Sequence, residues 1–378
     1  MSQTRVLFVL PSMAGGGAQR AVAHLLEHLD RKRFQPLLAL LVYQGPFLRS
    51  IPDDVPVIHQ LEGQFSLRRL PILVRRIKSI IGEYNVNVIN THLTPVNRII
   101  MRAALLGGFG RRVIVTEQNN LQAWLSAQFG FVGLRLRMQE SSFLYRRARH
   151  VIAVSHGAKR ILTEDLHLTA DHVSVVHNPI DAVQIEDALK HRVADPDWHQ
   201  SEPLIVSAGR LVVQKAYDVL IRAFATVRRH RPCKLLILGE GPLRGELEGL
   251  AASLGVDQDV HLPGFVQNPW GLLVHGDIFV LSSNWEGFGN VIVEATVCGL
   301  PVISTDCPYG PSEVIEPQRS GILIPVGDVD AMAHQINRLL DDESTRRKVA
   351  QMGGHRARRF TGTAAVEKYT AIFERFTA

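Results

Sequence analysis

The stretch FVLSSNWEGFGNVIVEATVCGLPVIST, residues 279–305, has the pattern of a strand, a helix and a second strand. An apolar run ends at Leu281, helical periodicity resumes near Gly289, and a second short apolar run follows Gly299. Two strands joined by one crossover helix lie parallel in a sheet. Because parallel sheets are buried on both faces by helices, this stretch predicts an α/β fold.

The same alternation continues along the whole chain. Twelve short apolar runs are separated by longer helical stretches, and the pattern lapses once, in a polar stretch around Asn178. We therefore expect two doubly wound, parallel-sheet (Rossmann-like) domains that face each other across a cleft, with ligands at the carboxyl ends of the strands. The predicted strands are 6–10, 37–42, 86–90, 113–116, 151–154 and 173–176 in the first domain and 204–208, 235–238, 260–262, 278–281, 301–304 and 322–324 in the second.

The length of 378 residues also favours two domains, since single cores rarely grow beyond about 300 residues. We expect an N-terminal domain over residues 1–180, a linker over 181–202 and a second domain over 203–355. A C-terminal helix over 356–378 is expected to pack back on the N-terminal domain.

The composition is that of a globular protein, with 46% hydrophobic and 21% charged residues. No apolar run approaches the roughly 18 residues of a membrane span, and the opening MSQTRVLFVLP indicates a strand rather than a signal peptide. The three cysteines are too few and too scattered for a disulfide framework or a metal site. We therefore expect a cytoplasmic protein.

The charge is distributed unevenly between the two halves. Residues 1–180 carry 22 basic and 11 acidic side chains, whereas the remainder carries 20 and 25, so the first half is expected to meet a polyanion. The basic, amphipathic stretch 67–84 is typical of a helix that lies on an anionic membrane, here the inner face of the plasma membrane. An ordinary surface helix with its apolar face in the core has the same pattern. The basic residues of this stretch are Arg68, Arg69, Arg75, Arg76 and Lys78, and the stretch 133–150 adds more.

A nucleic-acid-binding protein would also explain the basic half. Such a protein needs aromatic platforms or a known motif. Aromatic residues make up 7% of the chain and are sparse in the basic stretches. We therefore expect no nucleic-acid partner.

Three turns that follow predicted strands could bring a ligand close to the backbone, and two of them could bind phosphate. Gly16 and Gly17 open a helix, and glycines at a helix N-terminus expose backbone N–H groups to an anion. Arg210 and Lys215 follow the first strand of the second domain, where such a pair can grip two phosphates. Gly241 lies in the turn GEGP. Tight βα turns and solvated charges would give the same patterns, and the missing GxGxxG disfavours a dinucleotide-binding dehydrogenase.

Two carboxylates stand out in the opening stretch. Glu286 is expected on the loop after a strand, and Glu294 inside the following helix among apolar residues. A carboxylate in such surroundings is costly unless it has partners. Sugar hydroxyls are suitable partners because a carboxylate accepts two of them at once. A buried basic or backbone group would serve equally well, and both alternatives remain open on the residues alone.

At these residues the chain resembles a known family. EGFGNVIVE, residues 286–294, is similar to the E-x7-E motif of the family 4 retaining glycosyltransferases of GT-B fold. GGAQR, HNPID, GRLVVQK, GEGP and GLPVISTDCPYGPSEVI…SGILIPVGD follow the order of that family's markers, and the set spans most of the chain. The resemblance implies an acceptor-binding N-terminal domain and a nucleotide-sugar donor domain over residues 203–355.

The resemblance also implies roles for individual residues. Arg210 and Lys215 would neutralise the donor diphosphate, Glu294 would hold the ribose hydroxyls, and Glu286 would face the donor sugar. Gln118 in VTEQNN stands where many relatives have a histidine, and glutamine cannot transfer a proton at neutral pH. The catalytic set is then Glu286, Arg210, Lys215 and Gln118, and the donor-binding set is Gly16, Gly17, Arg210, Lys215, Gly241, Phe265, Val266, Phe288, Gly289, Asn290 and Glu294, with Phe265 and Val266 seating the nucleobase.

The implied reaction is transfer of a hexosyl or N-acetylhexosaminyl group from a UDP-sugar, with retention, to a hydroxyl of a glycan or lipid-linked acceptor. It would serve the synthesis of a cell-surface polysaccharide or glycolipid. No metal is expected: of two DxD strings, Asp195–Asp197 lies in the predicted linker and Asp328–Asp330 begins a helix. A GT-B enzyme with epimerase-like chemistry remains the alternative.

Overall fold

The computed structural model describes residues 3–59, 61, 67–190, 202–360 and 362–376. The chain divides into two compact units. Unit 1 comprises Met1–Pro179 together with Gly362–Ala378, and unit 2 comprises Ile180–Thr361.

Unit 1 contains a seven-stranded sheet whose described strand pairs are all parallel. In chain order its strands are β1 (Thr4–Leu10), β2 (Phe34–Leu40), β3 (Val57–Ile58), β4 (Val88–His92), β5 (Val113–Glu117), β6 (His150–Ala153) and β7 (Val173–Val175). Their order in the sheet is β3-β2-β1-β4-β5-β6-β7. The helices of this unit are α1 (Gly17–His28), α2 (Leu70–Glu83), α3 (Thr94–Gly107), α4 (Leu121–Tyr145), α5 (His156–Arg160) and α14 (Gly362–Arg375).

Helix α14 completes the core of unit 1, although it follows unit 2 in the sequence. Tyr369 and Phe373 are 1% and 0% exposed. The ring of Phe373 meets the rings of Phe8 in β1 and Phe34 in β2, with centroids 6.1 Å apart in both pairs. Edge-on aromatic pairs of this kind add to the stabilisation from apolar burial, so α14 is an integral part of this core.

Unit 2 contains a six-stranded sheet, again with parallel pairs. Its strands are β8 (Leu204–Ala208), β9 (Lys234–Leu238), β10 (Val260–Gly264), β11 (Ile278–Leu281), β12 (Val302–Thr305) and β13 (Ile322–Ile324), in the order β10-β9-β8-β11-β12-β13. Its helices are α6 (Ala182–Lys190), α7 (Tyr217–Arg228), α8 (Arg244–Ser253), α9 (Trp270–Leu273), α10 (Asn290–Val297), α11 (Pro311–Val314), α12 (Val329–Asp341) and α13 (Glu343–Ala357).

The prediction of two parallel-sheet α/β domains is confirmed. In each sheet the strand order changes direction beside the first strand, between β1 and β4 and between β8 and β11. Such a topological switch point leaves a crevice at the carboxyl ends of two neighbouring strands, and it is where doubly wound sheets bind ligands.

Several predicted boundaries differ from the structure. The predicted linker 181–202 contains the helix α6, whose Ile185 is 1% exposed, and residues 191–201, with Asp195 and Asp197, lie outside the described residues. The predicted segment 356–378 is not one helix, because α13 continues to Ala357 and α14 is a separate helix. The two-residue strand β3 was not predicted, since so short a run carries no periodicity.

Helix α2 occupies the basic stretch that was expected on a membrane. Its apolar residues Leu73, Ile77 and Ile80 are 4%, 2% and 0% exposed, while Arg75 and Arg76 are exposed. This is the ordinary amphipathic pattern, with the apolar stripe in the core. Among the described residues, none of the helices combines the length and apolarity that a membrane crossing requires.

Candidate functional site

Two loops that follow neighbouring strands of unit 2 carry an ion pair. The loops leave β8 and β11 at the switch point of the sheet. Nζ of Lys215, after β8, lies 2.6 Å from Oε1 of Glu286, after β11. The two side chains are nearly buried, with 15% and 8% of their surface exposed. The predicted placement of Glu286 on the loop before α10 is confirmed, and sequence reasoning did not identify Lys215 as its partner.

Serine hydroxyls fix both members of the ion pair. Ser283 Oγ donates a hydrogen bond to the Glu286 carboxylate at 2.7 Å, and Ser282 Oγ donates one to the backbone oxygen of Lys215 at 2.7 Å. A buried ion pair offsets its desolvation cost only when further hydrogen bonds satisfy the remaining donors and acceptors. The site is therefore organised within unit 2 itself.

The ammonium group of Lys215 has three donors, so it can bind an anion while it contacts Glu286. Arg210 lies five positions earlier on the same loop and is exposed to solvent. A guanidinium binds phosphate oxygens through a fork of donors, whereas an ammonium acts as a point charge. The two cations at the end of β8 are chemically suited to a ligand with more than one phosphate.

Glu294 lies inside α10, as predicted, and is 4% exposed. The Nε1–H of Trp270, the first residue of α9, donates a hydrogen bond to its Oε2 at 3.1 Å. Trp270 is itself 6% exposed. The indole of Trp270 is thus a partner that the protein itself provides for this carboxylate, and the sequence pattern did not reveal it. A carboxylate has about four acceptor positions, so this contact is compatible with hydroxyl ligands as well.

Glycines let the loops after β8 and β9 pack backbone against backbone. Gly239 has φ 151°, and a Cβ at this position would lie 1.9 Å from the backbone oxygen of Gly209. A Cβ at Gly241 would lie 2.3 Å from the backbone oxygen of Leu211. The glycines of GEGP therefore hold the loop that carries the two cations. A contact between Gly241 and the donor stays a prediction.

Phe288, Gly289 and Asn290 lie at the N-terminal end of α10. Phe288 is 2% exposed, and its ring meets that of Phe360 edge-on, with centroids 5.2 Å apart. Gly289 precedes the helix with φ 89°, and Asn290 begins it. A Cβ at Gly310 would lie 2.6 Å from the backbone oxygen of Phe288, so a glycine is required there. The backbone N–H groups of this helix start have the polarity that suits an anionic or hydroxyl ligand.

Phe265 and Val266, the predicted seat of the nucleobase, follow β10 directly. Phe265 is 46% exposed, and Val266 is half-buried. A large aromatic side chain with this much exposed surface can stack on a planar ligand. The position at a strand end is consistent with the predicted role, which stays a prediction.

In unit 1, Gly16 and Gly17 form the start of α1, as predicted. Gly16 precedes the helix with φ 148° and Gly17 is its first residue. A Cβ at Gly16 would lie 2.8 Å from Oε1 of Gln19. The side chain of Gln19 therefore lies over this turn. Binding of a phosphate by these glycines stays a prediction.

Gln118 is part of a buried chain of amides and an imidazole in unit 1. Its Oε1 accepts a hydrogen bond from Nδ2 of Asn178 at 2.8 Å, and its Nε2 lies 3.1 Å from Nδ1 of His92. Nε2 of His92 lies 2.8 Å from Oδ1 of Asn90, whose Nδ2 donates to Oγ1 of Thr116 at 3.0 Å. Gln118 is 9% exposed, and the orientation of its amide is fixed from both ends.

His92 was not identified from the sequence. Burial lowers the pKa of His92 to about 3, so its imidazole is neutral at physiological pH. Since the amide nitrogen of Gln118 can only donate, Nδ1 of His92 accepts, and its Nε2–H donates to Asn90. The available signal was VINTH, residues 88–92, where three polar residues end a fully buried strand.

We expect His92 to make the chain less stable in mild acid. The unfolded imidazole binds a proton below about pH 6.5, whereas the folded imidazole stays neutral down to about pH 3. Stability is therefore lost as the pH falls from 6.5 towards 3, by at most about 1.4 kcal/mol per pH unit. Urea unfolding at pH 7, 6 and 5 should show a steeper loss for the native chain than for His92→Gln. Parallel pH dependences for the two proteins would contradict this linkage.

Two family models match consecutive parts of the chain. The model described as Glycosyltransferase Family 4 matches residues 15–184, and the model described as Glycosyl transferases group 1 matches residues 193–356. Together they leave out residues 1–14, which contain β1, residues 185–192, and residues 357–378, which contain α14.

Curated relatives and a solved structure agree with these matches. The N-acetylgalactosamine-N,N'-diacetylbacillosaminyl-diphospho-undecaprenol 4-alpha-N-acetylgalactosaminyltransferase of Campylobacter jejuni is 28% identical over 92% of this chain and 93% of its own length. The lipopolysaccharide core biosynthesis glycosyltransferase LpsD of Rhizobium meliloti is 34% identical over 46% of this chain and 50% of its own. The structure of Anabaena Alr3699/HepE with UDP-glucose has a TM-score of 0.81 at 20% identity, covering 99% of this chain and 100% of that one. The chain belongs to the family 4 glycosyltransferases of GT-B fold and is a hexosyltransferase.

Proposed function

We propose that this enzyme transfers a hexosyl or N-acetylhexosaminyl group from a UDP-sugar to a hydroxyl group, with retention at the anomeric carbon. The observation that carries the proposal is the Lys215–Glu286 pair at the switch point of unit 2. Lys215 is a cation suited to a diphosphate, and Glu286 is a carboxylate suited to sugar hydroxyls. One hydrogen bond joins the two side chains. The complexes of Anabaena HepE with UDP and with UDP-glucose support uracil as the base of the donor.

The chemical problem is the departure of a diphosphate. Its growing negative charge needs donors that are already in place, and preorganised donors of this kind are worth several kcal/mol in a transition state. Lys215 is held by Glu286, which in turn accepts a hydrogen bond from Ser283, and Arg210 lies on the same loop. In this proposal Glu286 binds the donor sugar, Glu294 binds the ribose hydroxyls, and the acceptor attacks from the face that the diphosphate leaves.

We propose that no metal ion is needed, because the two cations neutralise the diphosphate. Asp328 of the second DxD string caps α12, where its carboxylate accepts a hydrogen bond from the backbone N–H of Ala331 at 2.8 Å. Asp330 lies in the first turn of that helix. Acidic residues at these positions stabilise a helix N-terminus, which explains them without a metal.

The acceptor is proposed to be a glycan or lipid-linked hydroxyl in the synthesis of a cell-surface polysaccharide or glycolipid. The Campylobacter jejuni relative is named for a diphospho-undecaprenol-linked acceptor, and the Rhizobium meliloti relative for the lipopolysaccharide core. The 22 basic and 11 acidic residues of positions 1–180 favour an anionic partner for unit 1. Such an enzyme would work at the inner face of the plasma membrane.

Calorimetric titration with UDP, GDP and ADP tests the donor, and incubation with UDP-sugars and polyprenyl-diphosphate glycans tests the transfer. We expect UDP to bind at least tenfold more tightly than GDP or ADP, since a single base-recognition contact is worth about 1–3 kcal/mol. The anomeric proton of the product, followed by NMR, should show the configuration of the donor. A product of inverted configuration, or release of a rearranged sugar without transfer, would overturn the proposal, the second result in favour of epimerase-like chemistry.

Arg210→Gln should weaken UDP binding by about 10- to 100-fold and leave stability unchanged. The exposed guanidinium is proposed to contribute one charge-assisted contact, worth about 1.5–3 kcal/mol, and an exposed side chain contributes little to folding. Calorimetry with UDP and with uridine separates the effects, because uridine lacks the diphosphate. Equal losses for both ligands would show that Arg210 does not contact the phosphates.

A further inference from the structure

The second half of α4 turns an apolar face to the solvent. The helix bends at Gly130, which has φ 63°. Beyond the bend, Val132, Leu136 and Phe143 are 74%, 63% and 52% exposed. At 100° per residue these three positions lie within about 40° of one another. A surface helix normally keeps its apolar stripe in the core, so this stripe needs a separate explanation.

The exposed stripe is distinct from the face of α4 that packs in the core of unit 1. Ser141, Leu144 and Tyr145 are 0%, 2% and 0% exposed, and they lie on the other side of the helix. Tyr145 donates a hydrogen bond to Glu117 in β5 at 2.9 Å. The segment is thus anchored in unit 1 through one face while it presents apolar side chains on the opposite face.

Arginines border the stripe on both sides. Arg135, Arg146 and Arg147 are exposed, and the guanidinium of Arg147 lies 3.6 Å from the ring centroid of Phe143. The turn at Gly110 adjoins this end of the helix, since a Cβ at Gly110 would lie 3.2 Å from the backbone oxygen of Arg147. Two further arginines follow at positions 111 and 112.

Helix α4 itself carries few acidic side chains to balance these arginines, and the exposed Glu164 and Asp165 lie in the adjoining segment 161–165. Glu140 is the only acidic residue between positions 121 and 149. Its carboxylate is bound by Arg98, Arg102 and Arg137, so it is already neutralised by its own neighbours. An apolar stripe with a positive border on both sides is complementary to a surface that is both anionic and apolar within a few ångströms.

We propose that the α4 surface, consisting of Val132, Leu136 and Phe143 with Arg135, Arg146 and Arg147, docks on an anionic lipid bilayer. The apolar side chains enter the boundary between headgroups and acyl chains, and the guanidinium groups bind lipid phosphates. An anionic bilayer presents lipid phosphates next to acyl chains, so it can bind the guanidinium groups and the apolar side chains together. Helix α2 lacks such a stripe, since Leu73, Ile77 and Ile80 are in the core and Ile72, at 44%, is its one exposed large apolar side chain. The surface does not involve the donor site and does not depend on which sugar is transferred.

Vesicle binding of the full chain tests the proposal. We expect cosedimentation with vesicles of phosphatidylglycerol and phosphatidylcholine at low salt, and none with phosphatidylcholine alone. Val132→Ser, Leu136→Asn and Phe143→Ser in one protein should weaken binding at least tenfold. Arg146→Gln and Arg147→Gln should each weaken it about fivefold at low salt. Arg75→Gln with Arg76→Gln on α2, and Val183→Ser at a 76% exposed position of α6, are matched controls that should bind within twofold of the native chain.

Urea unfolding of every variant separates docking from folding. Affinity for UDP separates it from the proposed reaction, because none of the substituted residues belongs to the proposed donor-binding set. Three outcomes would overturn the docking surface. One is a native chain that fails to bind anionic vesicles at low salt. Another is a stripe variant that binds normally while the α2 variant does not. The third is a native dimer that the stripe variant converts to a monomer, which would show that a second copy of the chain covers this face.

Discussion

Lys215→Met should lower the turnover number for sugar transfer by about 10²- to 10³-fold, the usual cost of removing one preorganised donor from a developing oxyanion. The proposed role of Lys215 is to neutralise the departing diphosphate, and methionine retains much of the side-chain length without the charge. The variant should also lose about 3 kcal/mol of stability, because Glu286 is 6% exposed and would be left without its cation. Release of UDP from the accepted UDP-sugar, together with urea unfolding, measures both effects.

The double variant Lys215→Met with Glu286→Gln separates the two effects. Neutral replacements for both partners of a buried ion pair are often tolerated, so stability should return to within about 1 kcal/mol of the native value. Turnover should stay low, because neither charge is restored. Recovery of turnover in the double variant would show that the single variant failed through misfolding. A single variant with turnover within fivefold of the native chain would remove Lys215 from the mechanism.

Gly239→Ala should destabilise unit 2 by roughly 3 kcal/mol or more. The residue has φ 151°, and the added Cβ would lie 1.9 Å from the backbone oxygen of Gly209. The contact can be relieved only if the backbone at Gly209 or Gly239 shifts, and such a shift would move the loop that carries Arg210 and Lys215. UDP affinity should therefore fall as well. For a unit of this size each kcal/mol lowers the melting temperature by about 2–4 °C, which differential scanning calorimetry resolves.

Two other glycines of unit 2 provide controls for this substitution. Gly255 has φ 70° but open space around a Cβ, so Gly255→Ala should cost only the conformational strain, about 1 kcal/mol. Gly249 lies inside α8, also with open space, and Gly249→Ala should stabilise the helix by about 0.5–1 kcal/mol. Equal effects at Gly239 and Gly255 would show that the close contact with Gly209 is relieved at little cost.

The positions of Glu286 and Glu294 could be predicted because they depend on local periodicity alone. The strand before Glu286 and the helix around Glu294 lie within one stretch of 27 residues, 279–305. Parallel pairing follows from the alternation of strands and helices, which is also local. The same reasoning placed Gly16 at the start of α1 and Asp328 at the start of α12.

The partners of these residues could not be predicted because they depend on strand order. Lys215 and Glu286 are 71 positions apart and meet because β8 and β11 are neighbours although β9 and β10 lie between them in the sequence. The contact of Gln118 with Asn178 spans 60 positions and depends on two different strand ends. Periodicity shows which residues form strands, and it contains no information on which strands are adjacent.

The basic stretches illustrate a second limit. Residues 67–84 and 133–150 both mix arginine with apolar residues, and periodicity alone does not show which side of a helix faces the core. In α2 the apolar side faces inward, whereas α4 has apolar side chains on both its buried and its exposed sides. Only the packing of each helix distinguishes the two.

The contribution of α14 to the first sheet has a consequence for biosynthesis. A ribosome releases β1 to β7 long before it makes Tyr369 and Phe373, which fill the core beside Phe8 and Phe34. Part of the apolar core of the N-terminal unit therefore stays exposed while residues 180–361 are translated. That intervening segment is a complete unit and can fold by itself. We therefore expect chaperones to bind the first unit, and not the second, during translation. In chains stalled before residue 362, proteases should cleave the first unit earlier than the second.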